Sequence, residues 1–202
     1  MRLLIPMLAK YKITNWDPNV YYPYEQPTVE GIQAKEFADA YKDWCHKTIF
    51  DKMPVTSYIP IDCYNGDPNP PLYYAAPGFN VNGSVVPDLS LSAGGQGWVM
   101  TSGQMCEFFR TLHYTENILP KLFSDFMKTQ LLGYDVAGTT KDKVSYYWKN
   151  GKYDNVIPAT SMTPCFRSLL IGFEDDIQIS ILANSPVNLE QTAIAAHEDW
   201  KQ

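Results

Sequence analysis

VIPATSMTPCFRSLLIGFEDDIQISILANSP, residues Val156–Pro186, holds two strand-like runs joined by an acidic turn. Phe166–Phe173 is the first run, Glu174-Asp175-Asp176 the turn, and Ile177–Ala183 the second run. The second run alternates apolar and polar residues at Ile177, Gln178, Ile179, Ser180 and Ile181, the period of a half-buried strand. Aspartates between two such runs favour a turn, because their side chains hydrogen-bond their own backbone. The stretch predicts an antiparallel hairpin at the centre of a sheet.

Around it lie 202 residues, 45% of them hydrophobic, enough for one domain with a sizeable core. The net charge is −6 and the isoelectric point near 5.0. That balance argues against nucleic acid as a partner, since phosphate binding needs clustered Lys and Arg. No apolar run approaches the 20 or so residues that span a bilayer. Met1–Lys10 is apolar and flanked by cations, but no small-residue cleavage site follows, so it reads as a buried first element. The four cysteines, Cys45, Cys63, Cys106 and Cys165, form no CxxC pair. Neither a zinc site nor a redox motif is supported, and buried free thiols in a reducing compartment are expected. Asn82-Gly83-Ser84 is a glycosylation triplet of a kind that also arises by chance.

The spacing of Phe37, Ala40, Tyr41, Trp44 and Cys45 predicts a helix over Glu36–Thr48 with one apolar stripe. Residues 54–90 are rich in proline and turn residues, with short strands expected around Leu72–Ala75 and Ser84–Val86. Small residues at 92–97 allow close backbone approach. Ser102 is then expected to cap a helix whose core side carries Met105, Phe108, Phe109 and Leu112. A further helix begins near Pro120, with Leu122, Phe123, Phe126 and Met127 as its buried stripe. Asn150-Gly151 predicts a second hairpin, between Val144–Lys149 and Tyr153–Ile157. Asn188 with Gln191 resembles a capping box opening a last helix, whose face Leu189, Ala193, Ala196 and Trp200 should pack across the sheet.

Three blocks, in order, resemble one family. They are Ile49-Phe50-Asp51-Lys52-Met53-Pro54-Val55-Thr56-Ser57; Ser92-Ala93-Gly94-Gly95 followed by Thr101-Ser102 and Phe108-Phe109-Arg110; and Thr163-Pro164-Cys165-Phe166-Arg167-Ser168 with Ile181-Leu182-Ala183-Asn184-Ser185-Pro186. Together they resemble the serine β-lactamase-like hydrolases, a family that includes class C β-lactamases and D-Ala-D-Ala carboxypeptidases. The resemblance covers residues 36–200. It implies an α+β fold: an antiparallel sheet flanked by helices, a β-lactamase/transpeptidase-like sandwich, incomplete at its N-terminal side. On this reading residues 1–202 are a single truncated domain, with a helical and loop part over about 1–140 and the sheet and terminal helix over about 141–202.

The family's chemistry, as the resemblance implies it, rests on three elements: a Ser-x-x-Lys nucleophile, a Tyr-x-Asn or Ser-x-Asn, and a basic residue on an inner strand. No serine of this chain has Lys at the third position after it, and the nearest match is Ser145 with Lys149 at the fourth, read as strand surface. Tyr24-Glu25-Gln26 stands where the second element would be but has Gln for Asn, whereas Tyr153-Asp154-Asn155 has the letters in the wrong order along the chain. Ala159-Thr160-Ser161 occupies the place of the third, with no basic group, and Cys165 replaces the family's glycine. The histidines His46, His113 and His197 lie outside all three blocks and read as surface or helix-flank polar residues. No catalytic, cofactor-binding or metal-ligating residue is therefore assigned, and no cofactor is expected. Loss of one member of such a unit already removes most of its effect.

In the family, N-terminal strands pair onto the last strand, which falls here at Ile177–Asn184. An uncovered apolar edge invites strand addition. The expectation is thus an inactive, structural subunit of a larger protein assembly, with another protein chain completing that edge. Neither nucleic acid nor a membrane span is expected. The alternative is half of a split serine hydrolase whose nucleophile comes from another chain. The compartment suggested by the resemblance, the N-terminal cations and the cysteines is intracellular, with the mitochondrion as the candidate.

Overall fold

The computed structural model describes residues 30–54, 60–66, 70–75, 83–154 and 165–201. The expectations for Met1–Lys10, Tyr24-Glu25-Gln26, Asn82, Asn155 and Ala159-Thr160-Ser161 lie outside the described residues. In chain order the elements are α1 (Glu30–Thr48), β1 (Asp62–Cys63), β2 (Leu72–Tyr73), β3 (Ser84–Val85), β4 (Trp98–Val99), α2 (Ser102–Tyr114), α3 (Lys121–Thr129), β5 (Val136–Thr139), β6 (Ser145–Asp154), β7 (Cys165–Phe173), β8 (Gln178–Ala183) and α4 (Leu189–Trp200). The class is α+β, with small antiparallel sheets and four helices among the described residues. The chain divides into two compact units: Met1–Lys52 with Ile59–Pro68 and Pro87–Val99, and Met53–Tyr58 with Asn69–Val86 and Met100–Gln202.

In the first unit, α1 begins six residues earlier than the sequence suggests. Ala38 and Cys45, seven residues apart and so on one face, are buried, while Tyr41 and Trp44 are half-buried. On the wet side, Lys35–Asp39 at 2.5 Å and Lys47–Asp43 at 2.6 Å form i,i+4 ion pairs, each worth a few tenths of a kcal/mol (about 0.3–0.5). The block around Ser92-Ala93-Gly94-Gly95 folds into a tight bend. Trp98 donates from Nε1 to the Ala93 carbonyl at 2.5 Å, and Ala93 is buried. Gly97 has φ +94°, and a Cβ there would come within 2.7 Å of Leu89 Cβ, so only glycine closes this bend. Its carbonyl accepts from Tyr64 N at 2.8 Å, next to the β1–β4 pairing. Phe50 packs edge-on to Trp98, with centroids 4.9 Å apart.

The second unit holds a four-stranded antiparallel meander, β5-β6-β7-β8. The hairpin of β7 and β8 forms as expected, with Ile171 opposite Ile179 and Leu169 opposite Ile181. Its turn has Asp176 at φ 67°, a left-handed position that Asp tolerates. The hairpin does not occupy the sheet centre as a pair: β7 is interior, and β8 is the outermost strand among the described residues. Alternation then fixes the layers. Leu169, Ile171 and Phe173 point to one face and pack with Leu189 and Ala193 of α4. Gly172 points to the other, where a Cβ would meet Phe109 of α2 at 2.8 Å. The sheet therefore lies between α4 and α2. The short β2–β3 hairpin, found where strands were expected, continues its end: Tyr74 N donates to the Asn184 carbonyl at 2.7 Å, and Cys165 N to Tyr74 O at 3.3 Å. Tyr74 thus takes the place beside β7 that β8 vacates at Ala183.

Asn150-Gly151 makes no hairpin. β6 runs straight through it, with Asn150 opposite Leu169 and Gly151 opposite Ser168. A dipeptide's turn preference is worth less than nine consecutive residue pairings with β7. The sheet also begins earlier than residue 141, at Val136, because β5 pairs with β6. Thr101, not Ser102, caps α2, in a reciprocal capping box with Gln104. On α4 the buried face is Leu189, Ala193 and His197, so Ala196 and Trp200 face solvent. Of the expected stripe of α3, Met127 is half-buried but Leu122, Phe123 and Phe126 are 77%, 57% and 52% exposed, and the buried residue of that helix is Ser124.

Candidate functional site

The residues of the family-like blocks that fall among those described serve as framework. Ala93 is the acceptor for Trp98, as above; Phe166 packs against the buried ring of Tyr73 at 5.3 Å; Cys165 is buried at the start of β7. Ser145 and Lys149 sit on β6, and Lys149 pairs with Asp135 at 2.6 Å, which fits the reading of strand surface. Cys45, Cys63 and Cys165 are buried free thiols and Cys106 is half-buried. Burial first, then the Asp62 carboxylate, pushes the Cys63 thiol up to about 11, so it is neither a nucleophile nor a ready ligand near neutral pH. No group of three or more His, Cys, Asp or Glu among the described residues could hold a metal ion. No helix among them is long and apolar enough to cross a membrane.

The concentration of polar chemistry lies elsewhere, at two of the histidines that read in the sequence as surface or helix-flank polar residues. His113 and His197 are 4% and 1% exposed, so neither is a surface residue; His46 alone is half-buried, edge-on to Phe50. His113, in the last turn of α2, reaches Ser124 of α3 with Nδ1 at 2.7 Å and the Tyr134 hydroxyl with Nε2. The neutral ring satisfies both contacts if Nδ1–H donates to Ser124 Oγ and the Tyr134 phenol donates to Nε2, an assignment that follows from the network. Phe109, Tyr134 and Tyr147 surround the ring, at centroid distances of 4.9, 5.8 and 5.7 Å. Lys128 lies over the rings of Tyr114 and Tyr147 at 5.1 and 5.7 Å. Ser124 and Lys128 repeat the Ser-to-Lys spacing of four noted at Ser145, but on a helix, where it places them on one face.

The electrostatics of the cluster are those of a dry pocket. Burial, helped by the Lys128 ammonium, lowers His113 to about 4. Burial lowers Lys128 and raises Tyr134 and Tyr147. The buried Tyr147 hydroxyl has no hydrogen-bond partner among the described residues. A Ser–His contact of this length would suit a nucleophile and its base. Here Ser124 is 0% exposed and burial weakens the imidazole as a base, so in this arrangement the pair joins α2 to α3.

His197 forms a second buried junction. It stacks on Phe173 at 3.8 Å and 12°, and its Nε2 meets Asp175 at 2.9 Å in the β7–β8 turn. Lys201 pairs with the same carboxylate. One residue on, Glu198 accepts from Lys141 N at 3.1 Å and pairs with Lys141 Nζ at 2.8 Å in the β5–β6 turn. The end of α4 is thus fastened to both turns at that end of the sheet.

No protein-family model matches this chain, and neither a curated protein nor a solved structure matches it.

Proposed function

We propose that the chain is a catalytically inactive relative of the serine β-lactamase-like hydrolases, with that family's sandwich in incomplete form, and that it works as an accessory subunit of a larger protein assembly. The observation that carries the proposal is the position of β8: it is the outermost strand of the sheet among the described residues and exposes Leu182. A strand that pairs with a neighbour on one side only can accept a strand from a partner chain on the other. The absence of Ser-x-x-Lys from the sequence supports an inactive chain, and the depth of Ser124 keeps the Ser–His pair from any substrate.

The test is made on native material and on the purified chain in parallel. Light scattering should find the isolated chain self-associated or unstable. In its native assembly, the amides of Gln178–Ala183 should exchange more slowly than in the chain alone. A folded, soluble monomer whose β8 amides exchange alike in both settings overturns the subunit reading. An acyl-phosphonate probe that labels a serine of the assembly points instead to the split hydrolase.

A further inference from the structure

We infer that His113 is an acid-sensitive pin that holds α3 on the second unit, so that mild acid releases α3 while the sheet stays folded. The inference stands apart from the subunit reading and rests on how little else fastens this helix. Ser124, its one fully buried residue, is the one His113 grips; Met127 and Lys128 are half-buried, the latter over Tyr114 and Tyr147, while Leu122, Phe123 and Phe126 turn away from the protein. The segment after it bends through Leu131 at φ 53° and Gly133 at φ 83° before Tyr134, the second partner of the same imidazole. One ring therefore ties down both α3 and the start of the return to β5. An element with so few buried apolar contacts belongs to the low-stability end of a domain and opens by itself.

Charge on the imidazole works against the docked state. A second proton on Nε2 meets the Tyr134 oxygen, which must give up its own donated bond to accept. The cation then sits among Phe109, Tyr134 and Tyr147, with the Lys128 ammonium as its like-charged neighbour. Asp125 is the acid that favours the cation, but it lies on the exposed side, paired with Lys121 at 2.9 Å. Of the groups facing the ring, Lys128 stays charged and Tyr134 and Tyr147 stay neutral through the range from pH 7 to 4. Asp125, held below the usual carboxylate range by Lys121, stays ionised there too. His113 is the group that titrates. Its folded value, about 4, lies below the ordinary 6.5, so the docked state is fully favoured above 6.5 and loses ground as pH falls toward 4. Relative to pH 7, the opening equilibrium of α3 rises about 20-fold by pH 5 and about 100-fold by pH 4.

Hydrogen exchange on the whole chain, corrected for intrinsic rates, compares amides of Lys121–Thr129 with those of Cys165–Phe173 at pH 7, 5 and 4. The expected result is loss of protection in α3 by those factors, with β7 unchanged. His113→Asn should abolish the pH dependence of α3 without altering that of β7. The imidazole proton resonance of His113 in the wild-type chain titrates independently of any variant, with an expected midpoint near 4. Unchanged α3 protection from pH 7 to 4, joint loss in α3 and β7, a pH dependence that survives in His113→Asn, or a midpoint near 6.5 each overturns the inference.

Discussion

Replacing Gly172 by alanine puts a methyl group where α2 touches the sheet. The added carbon would lie 2.8 Å from Phe109 Cε1, 2.8 Å from the Tyr147 hydroxyl oxygen and 2.9 Å from Tyr147 Cζ. Carbon contacts settle at about 3.5–4.0 Å, so something must move by about 0.7 Å. Phe109 cannot simply swing aside, being buried and packed on the rings of His113 and Tyr147 at 4.9 and 5.8 Å. Overpacking of this kind costs about 1–3 kcal/mol. The lost freedom of the unfolded chain returns about 0.4–1 kcal/mol, because β7 is extended at this point and alanine adopts that backbone without strain. The net expectation is destabilisation by about 1–2 kcal/mol, a lowering of Tm by roughly 2–8 °C for a chain of this size. Urea titration followed by far-UV circular dichroism at neutral pH reads the midpoint, and an unchanged m-value assures that the folded state is comparable. Phe109→Leu should absorb part of the clash, so the double variant should be more stable than the sum of the singles by about 1 kcal/mol. A Gly172→Ala protein within about 0.5 kcal/mol of wild type, or strict additivity with Phe109→Leu, would refute this account of the α2–sheet contact.

The orientation of α3 predicts that Leu122→Ser and Phe126→Ser change stability by less than about 0.5 kcal/mol, whereas Leu169→Ala, at a fully buried site, costs about 2–5 kcal/mol. Thermal unfolding separates the two, and equal losses would mean the helix face is covered. The clasp at the end of α4 predicts an acid effect of its own. Partial burial opposes the Asp175 charge, yet the hydrogen bonds from Lys201 and His197 hold its carboxyl below the usual range. A depressed value means stability that is present above 3.8 and lost as pH falls through the folded value. Asp175→Asn should therefore melt earlier than wild type at pH 7, and the gap should narrow as pH falls below 3.8. A gap of constant size across that range would sink the clasp.

The β7–β8 hairpin was legible because its signals are local: alternation over Ile177–Ile181 and an acidic turn; its place at the side of the sheet was not. The starts of α2 and α4 were legible to within a residue for the same reason, since Thr101 and Asn188 bond to amides three residues away. What failed was what depends on distant partners. Periodicity marks Leu122, Phe123 and Phe126 as neighbours on a helix, but not whether that side meets the protein or the solvent. The turn preference of Asn150-Gly151 lost to β7, whose pairing becomes visible only once the strands are side by side. Burial of His113 and His197 was out of reach because their partners, Ser124 with Tyr134 and Asp175, stand 11 to 22 residues away in the chain. A histidine in the last turn was no guide to burial, since all three, His46, His113 and His197, hold that position and His46 is only half-buried.

The straight course of β6 through Asn150-Gly151 has a chemical consequence. In a flexible chain this dipeptide is prone to deamidation, in which the glycine amide nitrogen attacks the asparagine carboxamide carbon and ammonia leaves. Within β6 the backbone is held extended by pairing to Leu169 and Ser168, and Asn150 Nδ2 donates to Glu190 at 2.9 Å. The nucleophile cannot swing round to its target while these contacts last. Conversion at Asn150 therefore accumulates only during the time β6 spends unpaired, and the isoaspartate content of an aged sample becomes a clock for the opening of the sheet.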